Sequence, residues 1–231
     1  MTVGSLRRAV PMFAGHIGAA LAIGSAERRI NVGVFITAAL LLDLVLWIFV
    51  WLGVESVAIP ENFASAHQPA FVFPYSHSLL AGVAWSILAG AAVFIGFNFP
   101  QGAKLRAAAL VGAAVFSHWL LDALVHAPEL PLAGNGSLKI GLGLWNQMTV
   151  ALVVEAVIVV AGLYLFVRGT RLSRARKISL TVMSLLLLAF TAAGMTIAPA
   201  PPSVEAMAAS SLVTLLVICV IACWLGMLPK E

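Results

Sequence analysis

The sequence predicts an all-α, polytopic transmembrane helix bundle: six full spans plus a short N-terminal segment that re-enters or crosses as a seventh. Three observations carry this expectation. Of 231 residues, 62% are hydrophobic and only 10% are charged, whereas a soluble domain carries roughly a quarter charged. Mean hydropathy is +1.06. Six stretches have the length needed to cross a bilayer, about 20 apolar residues at roughly 1.5 Å each.

The six stretches lie near residues 31–54, 73–97, 105–126, 147–167, 177–198 and 208–228, and the shorter one, rich in Gly and Ala, at 9–26. Chain breakers punctuate the joints: Pro60, Pro69 and Pro74, then Pro100 with Gly102, Pro128 with Pro131, and Pro199, Pro201 and Pro202. Loops 26–30, 98–104 and 168–177 are placed on one side together with both termini. That side then holds twelve of the thirteen Lys and Arg residues, all but Lys139. By the positive-inside rule it is cytoplasmic, which puts the C-terminus there. Arg7–Arg8 and Arg28–Arg29 bracket the first segment, so both of its ends carry the cytoplasmic signal. It therefore dips and returns, lies at the interface, or crosses with its N-terminus outside. A re-entrant backbone requires protein or a polar cavity around it. A cleaved leader is the weaker reading, because His16 interrupts the apolar run.

The net charge of +4 does not signal nucleic acid. The basic residues sit in short loops as topology signals, without a patch of interleaved stacking aromatics. Trp47, Trp51 and Trp145 are expected at one membrane interface and Trp224 at the other, with Trp85 and Trp119 deeper, as packing. Cys219 and Cys223 lie four apart in an apolar run, which favours neither a disulfide nor an activated thiol. Residues 1–168 form the part that carries ionisable groups inside its spans. Residues 169–231 supply two helices without such groups inside their spans, expected as scaffold or as the surface of a homo-oligomer.

Membrane interiors disfavour charge by roughly 2.5–3.5 kcal/mol per Asp near a helix centre, and this chain accepts that cost repeatedly. Asp43 interrupts Leu41-Leu42-Asp43-Leu44, and Glu155 interrupts Val153-Val154-Glu155-Ala156. His118, Asp122 and His126 step by four along one helix face, where a His and a carboxylate can grip one cation or each other. His77 opens the third segment and His16 lies in the first. Counted from the outer end, His77 and Asp122 lie about 6 Å deep, and Glu155, His118 and Asp43 between roughly 12 and 17 Å. Separate helices that place their ionisable groups in one layer predict a shared pocket in the non-cytoplasmic half. His67 and His126, at or beyond helix ends, also suit solvated loop positions.

At these residues the chain resembles a family of bacterial inner-membrane proteins described as membrane-bound metal-dependent hydrolases, mostly of unknown function. The family pattern is an early His, an Asp motif in the next helix, a His-Ser pair opening another, and Ser-His-x-x-x-Asp. The matching residues are His16, Asp43, His77-Ser78, and Ser117-His118 with Asp122, over about half the chain. Two features depart from it. The family's Pro-Asp-x-Asp-His is here Leu42-Asp43-Leu44-Val45-Leu46, and Phe73-Pro74-Tyr75-Ser76 lacks a basic residue before the His-Ser pair. The resemblance implies a bacterial inner-membrane enzyme with His16, Asp43, His77, His118 and Asp122 as metal ligands. Glu155 or His126 would be general base or orienter of a ligand. Nitrogen and carboxylate ligands suit Zn²⁺ first, with Mn²⁺ or Fe²⁺ as alternatives. The expected reaction is hydrolysis of an ester or phosphoester, including one on a lipid that reaches the pocket sideways, with the Gly-rich loop 134–143 as a candidate lid. Two other classes fit the same residues: a proton- or ion-coupled permease, and a non-catalytic membrane scaffold.

Overall fold

The computed structural model of the chain describes residues 13–63 and 68–227; Arg7, Arg8, His67 and Lys230 lie outside them. Eight α-helices dominate the described residues: α1 (Ala14–Gly24), α2 (Val32–Ala39), α3 (Leu41–Trp51), α4 (Leu79–Gly96), α5 (Gln101–Val125), α6 (Met148–Gly169), α7 (Arg174–Thr196) and α8 (Val204–Leu225). Two small antiparallel hairpins join them. One pairs β1 (Ser56–Ala58) with β2 (Ala70–Val72), and the other pairs β3 (Leu130–Pro131) with β4 (Lys139–Ile140). Helices α4 to α8 are each long and apolar enough to cross a membrane, and the bent pair α2–α3 meets the same test when taken together, as one broken span or a re-entrant loop. This is an all-α bundle of membrane type.

Local chemistry sets the helix starts. Asn31, Ser78, Ser173 and Ser203 each accept a hydrogen bond from a first-turn N–H, of Gly33, Ala81, Arg176 and Ala206 respectively. Such caps satisfy donors that the helix itself leaves unpaired. At the Arg-rich end, Glu27 is buried and its carboxylate pairs with Arg29 at 2.6 Å. That hydrogen-bonded guanidinium holds the Glu27 carboxyl below its usual range. Arg106 donates to the Ala26 carbonyl at 2.7 Å, tying the loop after α1 to α5.

Helix α1 has eleven residues, eight of them buried, and at about 16 Å it is too short to cross a bilayer. It lies inside the bundle, packed against α6 and also touching α2, α5 and α7. Burial against protein answers the requirement for a short segment at membrane depth. Glycine makes this position possible. A Cβ on Gly18 would meet the Ile158 carbonyl at 2.6 Å, and one on Gly162 would overlap the Gly18 carbonyl. The α4–α5 crossing uses the same device, with Gly90 against the Ala108 carbonyl and Gly112 against that of Ser86.

The structure corrects several expectations. The span expected over 31–54 is broken at Leu40, where α2 and α3 meet at 49°. Neither Pro nor Gly lies between Val34 and Trp51; the cause is the ring of His118, inserted into the helix ladder at the Ala39 carbonyl. Residues 73–78 do not begin a helix but turn over the end of the bundle before α4. Trp47 and Trp145 are buried rather than in an interfacial belt, whereas Trp51 and Trp224 are exposed. The Gly-rich loop is tied to the end of α5 at its C-terminal part. Leu142 and Gly143 donate backbone bonds to the Ala123 and His126 carbonyls. Gly141, at φ 156°, packs on those of His126 and Ala127, where a Cβ would clash. Of the C-terminal pair, expected as scaffold, α8 packs on α2 and α3, and α7 on α6 and α1.

Candidate metal centre

Helices α1, α3 and α5, together with the loop before α4, deliver polar side chains to one place at the hairpin end. Asp43 occupies the first turn of α3, a position created by the break at Leu40, where a helix N-terminus favours a carboxylate. His77 precedes α4, and its loop is held by two indoles. Trp119 Nε1 donates to the His77 carbonyl and Trp85 Nε1 to that of Tyr75, both at 3.0 Å. Trp85 and Trp119 therefore position this loop as well as pack. His118 and Asp122 lie one turn apart on α5, with His126 at its C-terminus. His16 arrives from α1. All six side chains belong to residues at most 6% exposed.

The contacts are tight. His77 Nε2 and His118 Nε2 stand 3.2 Å apart. Asp43 Oδ1 lies 3.6 Å from the first and 3.7 Å from the second. Asp122 Oδ2 lies 3.4 and 3.2 Å from the same two nitrogens. The other oxygen, Asp122 Oδ1, faces His16 Nε2 at 3.3 Å and His126 Nε2 at 3.9 Å. The His16 ring stacks on His118 with centroids 3.8 Å apart and planes within 7°. Two overlapping ligand triads result, His16–His118–Asp122 and Asp43–His77–His118. All five residues expected as ligands thus meet, and His126 stands beside them.

The far sides of these rings decide what the near sides can do. His118 Nδ1 lies 2.6 Å from the Ala39 carbonyl. A carbonyl only accepts, so Nδ1 carries the proton in that bond. The same bond explains the break at Leu40: a ring N–H takes the place of a backbone donor at the end of α2. His77 Nδ1 lies 2.8 Å from Ser76 Oγ, which is 2.6 Å from Glu55 Oε2. His126 Nδ1 pairs with Glu129 Oε1 at 2.5 Å. Three of the four rings therefore have an oriented Nδ1 and turn Nε2 towards the carboxylates, as metal-ligating histidines do. His16 Nδ1 has no hydrogen-bond partner among the described residues.

Glu155 is the exception among the expected residues. It is fully buried, but its helix face turns to α1, and its carboxylate lies against the first turn near Gly15. The backbone N–H groups of Phe13 and Gly15 are its electrostatic neighbours, although neither oxygen reaches hydrogen-bond geometry with a partner among the described residues. Neither ligand triad includes it. It lies beside the start of α1, where the N-cap residue Phe13 makes no side-chain cap bond.

Three contributors escape a reading of the sequence. Glu55 and Ser76 resemble ordinary loop residues, and the Ala39 carbonyl belongs to a stretch that reads as continuous helix. Glu129, three residues beyond His126, is legible as a local pair. Asp43, His77, Asp122 and His126, walled by Leu46, Phe71 and Phe73, line a cavity of about 10 Å³, the room a single water needs. No family model, curated protein or solved structure matches this chain.

Proposed function

We propose that this protein is a bacterial inner-membrane, metal-dependent hydrolase whose His/Asp cluster binds one divalent cation and acts on an ester or phosphoester. The observation that carries the reading is the 3.2 Å approach of two Nε2 atoms whose rings both have Nδ1 committed elsewhere. Two neutral imidazoles in that state aim electron pairs at each other, and a metal cation between them, or a proton on one Nε2, relieves the repulsion. The spacing suits a metal. Ligands on a tetrahedral zinc with bonds of 2.0–2.1 Å are separated by about 3.3 Å, and the triangle of Asp43, His77 and His118 measures 3.2, 3.6 and 3.7 Å. Charge supports a single ion, since two buried carboxylates and one divalent cation sum to zero. The resemblance to membrane-bound metal-dependent hydrolases points the same way, and the positive-inside rule places the C-terminus in the cytoplasm.

Asp43, His77, His118 and Asp122 are the ligands in this reading, and His16 adds its Nε2 to the Asp122 side. Zn²⁺ suits the donor set best, ahead of Mn²⁺ and Fe²⁺. When bound, the cation supplies Lewis acidity at the cavity. His126 faces the same cavity with Nε2, and Glu129 holds its Nδ1, which equips it to accept a proton from a water there. Leu46, Phe71 and Phe73 limit the water that enters.

Elemental analysis of detergent-purified protein tests the reading. One transition metal per chain is expected, absent from His118→Ala. Wild type without metal, even after reconstitution with Zn²⁺, overturns it in favour of a proton shared within a packing network or a coupled permease. A permease would also continue its polar groups towards the Arg-rich end, yet α7 after Lys177 and α8 after Glu205 hold no Asp, Glu, His, Lys or Arg. His126→Ala separates ligand from base. It should keep the metal while turnover of a responsive ester or phosphoester falls about 10²–10⁴-fold; loss of the metal would reassign His126 as a ligand.

A further inference from the structure

Glu55 lies just after α3 and touches no residue of the ligand triads, yet it is only 4% exposed. Its Oε1 accepts the backbone N–H groups of Tyr75 at 2.7 Å and Ser76 at 2.9 Å, and its Oε2 faces Ser76 Oγ at 2.6 Å. A carboxylate has no proton to give. The single hydroxyl proton of Ser76 therefore points to Glu55, and Ser76 Oγ receives a proton from His77 Nδ1 at 2.8 Å. His77 is left with a bare Nε2 directed at His118 and the two aspartates. Each bond in this chain has one possible direction once the first is set.

We propose that Glu55 is a positioning residue which, through Ser76, sets the tautomer of His77 and so makes its Nε2 a metal ligand. The proposal rests on the metal reading for its consequence, but the tautomer itself can be read without metal. Its distinctive feature is polarity. In Glu55→Gln the two backbone N–H groups hold the amide oxygen at the Oε1 position, which turns the NH₂ group to Ser76. Ser76 Oγ then accepts from Gln and must donate to His77 Nδ1. His77 is forced into the Nε2–H form, whose proton occupies the ligand position. Ser76→Ala instead removes the link and leaves His77 free to adopt either tautomer. The isosteric change is thus expected to be the more harmful one, and removing Ser76 as well should relieve it.

The test uses full-length protein in detergent with ¹⁵N-labelled histidine, in wild type, Glu55→Gln, Ser76→Ala and the double variant. Proton–nitrogen correlation spectra of metal-free samples report the His77 tautomer: Nδ1–H in wild type, Nε2–H in Glu55→Gln. Co²⁺ titration, followed by visible absorption, reads the consequence. Affinity should fall about 100-fold in Glu55→Gln and about 10-fold in Ser76→Ala, the span seen for outer-shell partners. The double variant should return to the Ser76→Ala value. A role confined to tying the loop would leave Glu55→Gln close to wild type, because its carbonyl still accepts both backbone bonds. An unchanged His77 tautomer in Glu55→Gln, or a double variant weaker than either single one, overturns the proposal. Wild type that binds no Co²⁺ but shows the expected tautomers refutes the metal reading and leaves the relay standing.

Discussion

Asp122→Asn is expected to bring metal binding from the proposed one ion per chain to near zero while the helices remain in place. Asp122 is the hub of the cluster: one oxygen meets His77 and His118, and the other meets His16 and His126. Asparagine preserves its shape but removes the negative charge, and its NH₂ group must face one of the two histidine pairs. Facing His77 and His118, it puts a donor where a ligand stood. Facing His16 and His126, it leaves only a neutral carbonyl for the cation. The remaining carboxylate, Asp43, then confronts a dication alone in a water-poor interior. The loss should exceed the about 10–100-fold that removal of an outer-shell partner costs. Thermal unfolding with and without added Zn²⁺ gives an independent reading. A ligand at 100 times its dissociation constant stabilises by about 2.7 kcal/mol, so the zinc-dependent rise expected of wild type should vanish. Full metal occupancy in Asp122→Asn would remove Asp122 from the ligand set.

The second large effect is expected at a residue outside the ligand set. Gly162→Val should destabilise the protein by about 3 kcal/mol, the upper end of the usual cost of overpacking. The Gly162 position has no room for a Cβ, because the backbone of Gly18 lies against it. The obstacle is a main-chain carbonyl, which cannot swing aside as a side-chain end would, so α1 has to move. His16 sits two residues before Gly18, and the shift should therefore also loosen its contact with Asp122. Gly96→Ala is the matched control: nothing lies within 4 Å of its added Cβ, and alanine favours the helix by about 1 kcal/mol. Thermal unfolding in detergent should show a lowered midpoint for Gly162→Val and an equal or higher one for Gly96→Ala. Equal stability of the two variants would mean that the α1–α6 crossing does not hold the site together.

Much of the candidate site is legible in the amino-acid sequence. His118, Asp122 and His126 announce themselves because four-residue spacing on a helix is a one-dimensional signal, and Asp43 because charge inside an apolar run is costly wherever it occurs. Depth counted along separate spans puts His77, His118, Asp43 and Asp122 into one layer, and the structure joins them. The same count includes Glu155, and there it falls short. Depth is set by position along a helix, but partnership is set by rotation about the helix axis. The face of α6 that carries Glu155 turns to the start of α1. The tryptophans show a similar gap: Trp47 and Trp145 have the right depth for an interface, yet they face inward, Trp145 with its ring centroid 4.1 Å from that of His126.

Sequence alone determined the all-α bundle of apolar spans, the shortness of the first segment and the set of ionisable residues at one end, because composition, length and spacing are properties of the chain itself. Tertiary structure decided the rest. It enclosed α1 through the Gly18–Gly162 contact, broke the second span at Leu40 where His118 meets the Ala39 carbonyl, and placed Glu55 and Ser76 behind His77. These outcomes depend on which carbonyl or hydroxyl meets which ring nitrogen across the bundle. Such pairings join residues such as Ala39 and His118, 79 positions apart, and no local pattern in the chain records them.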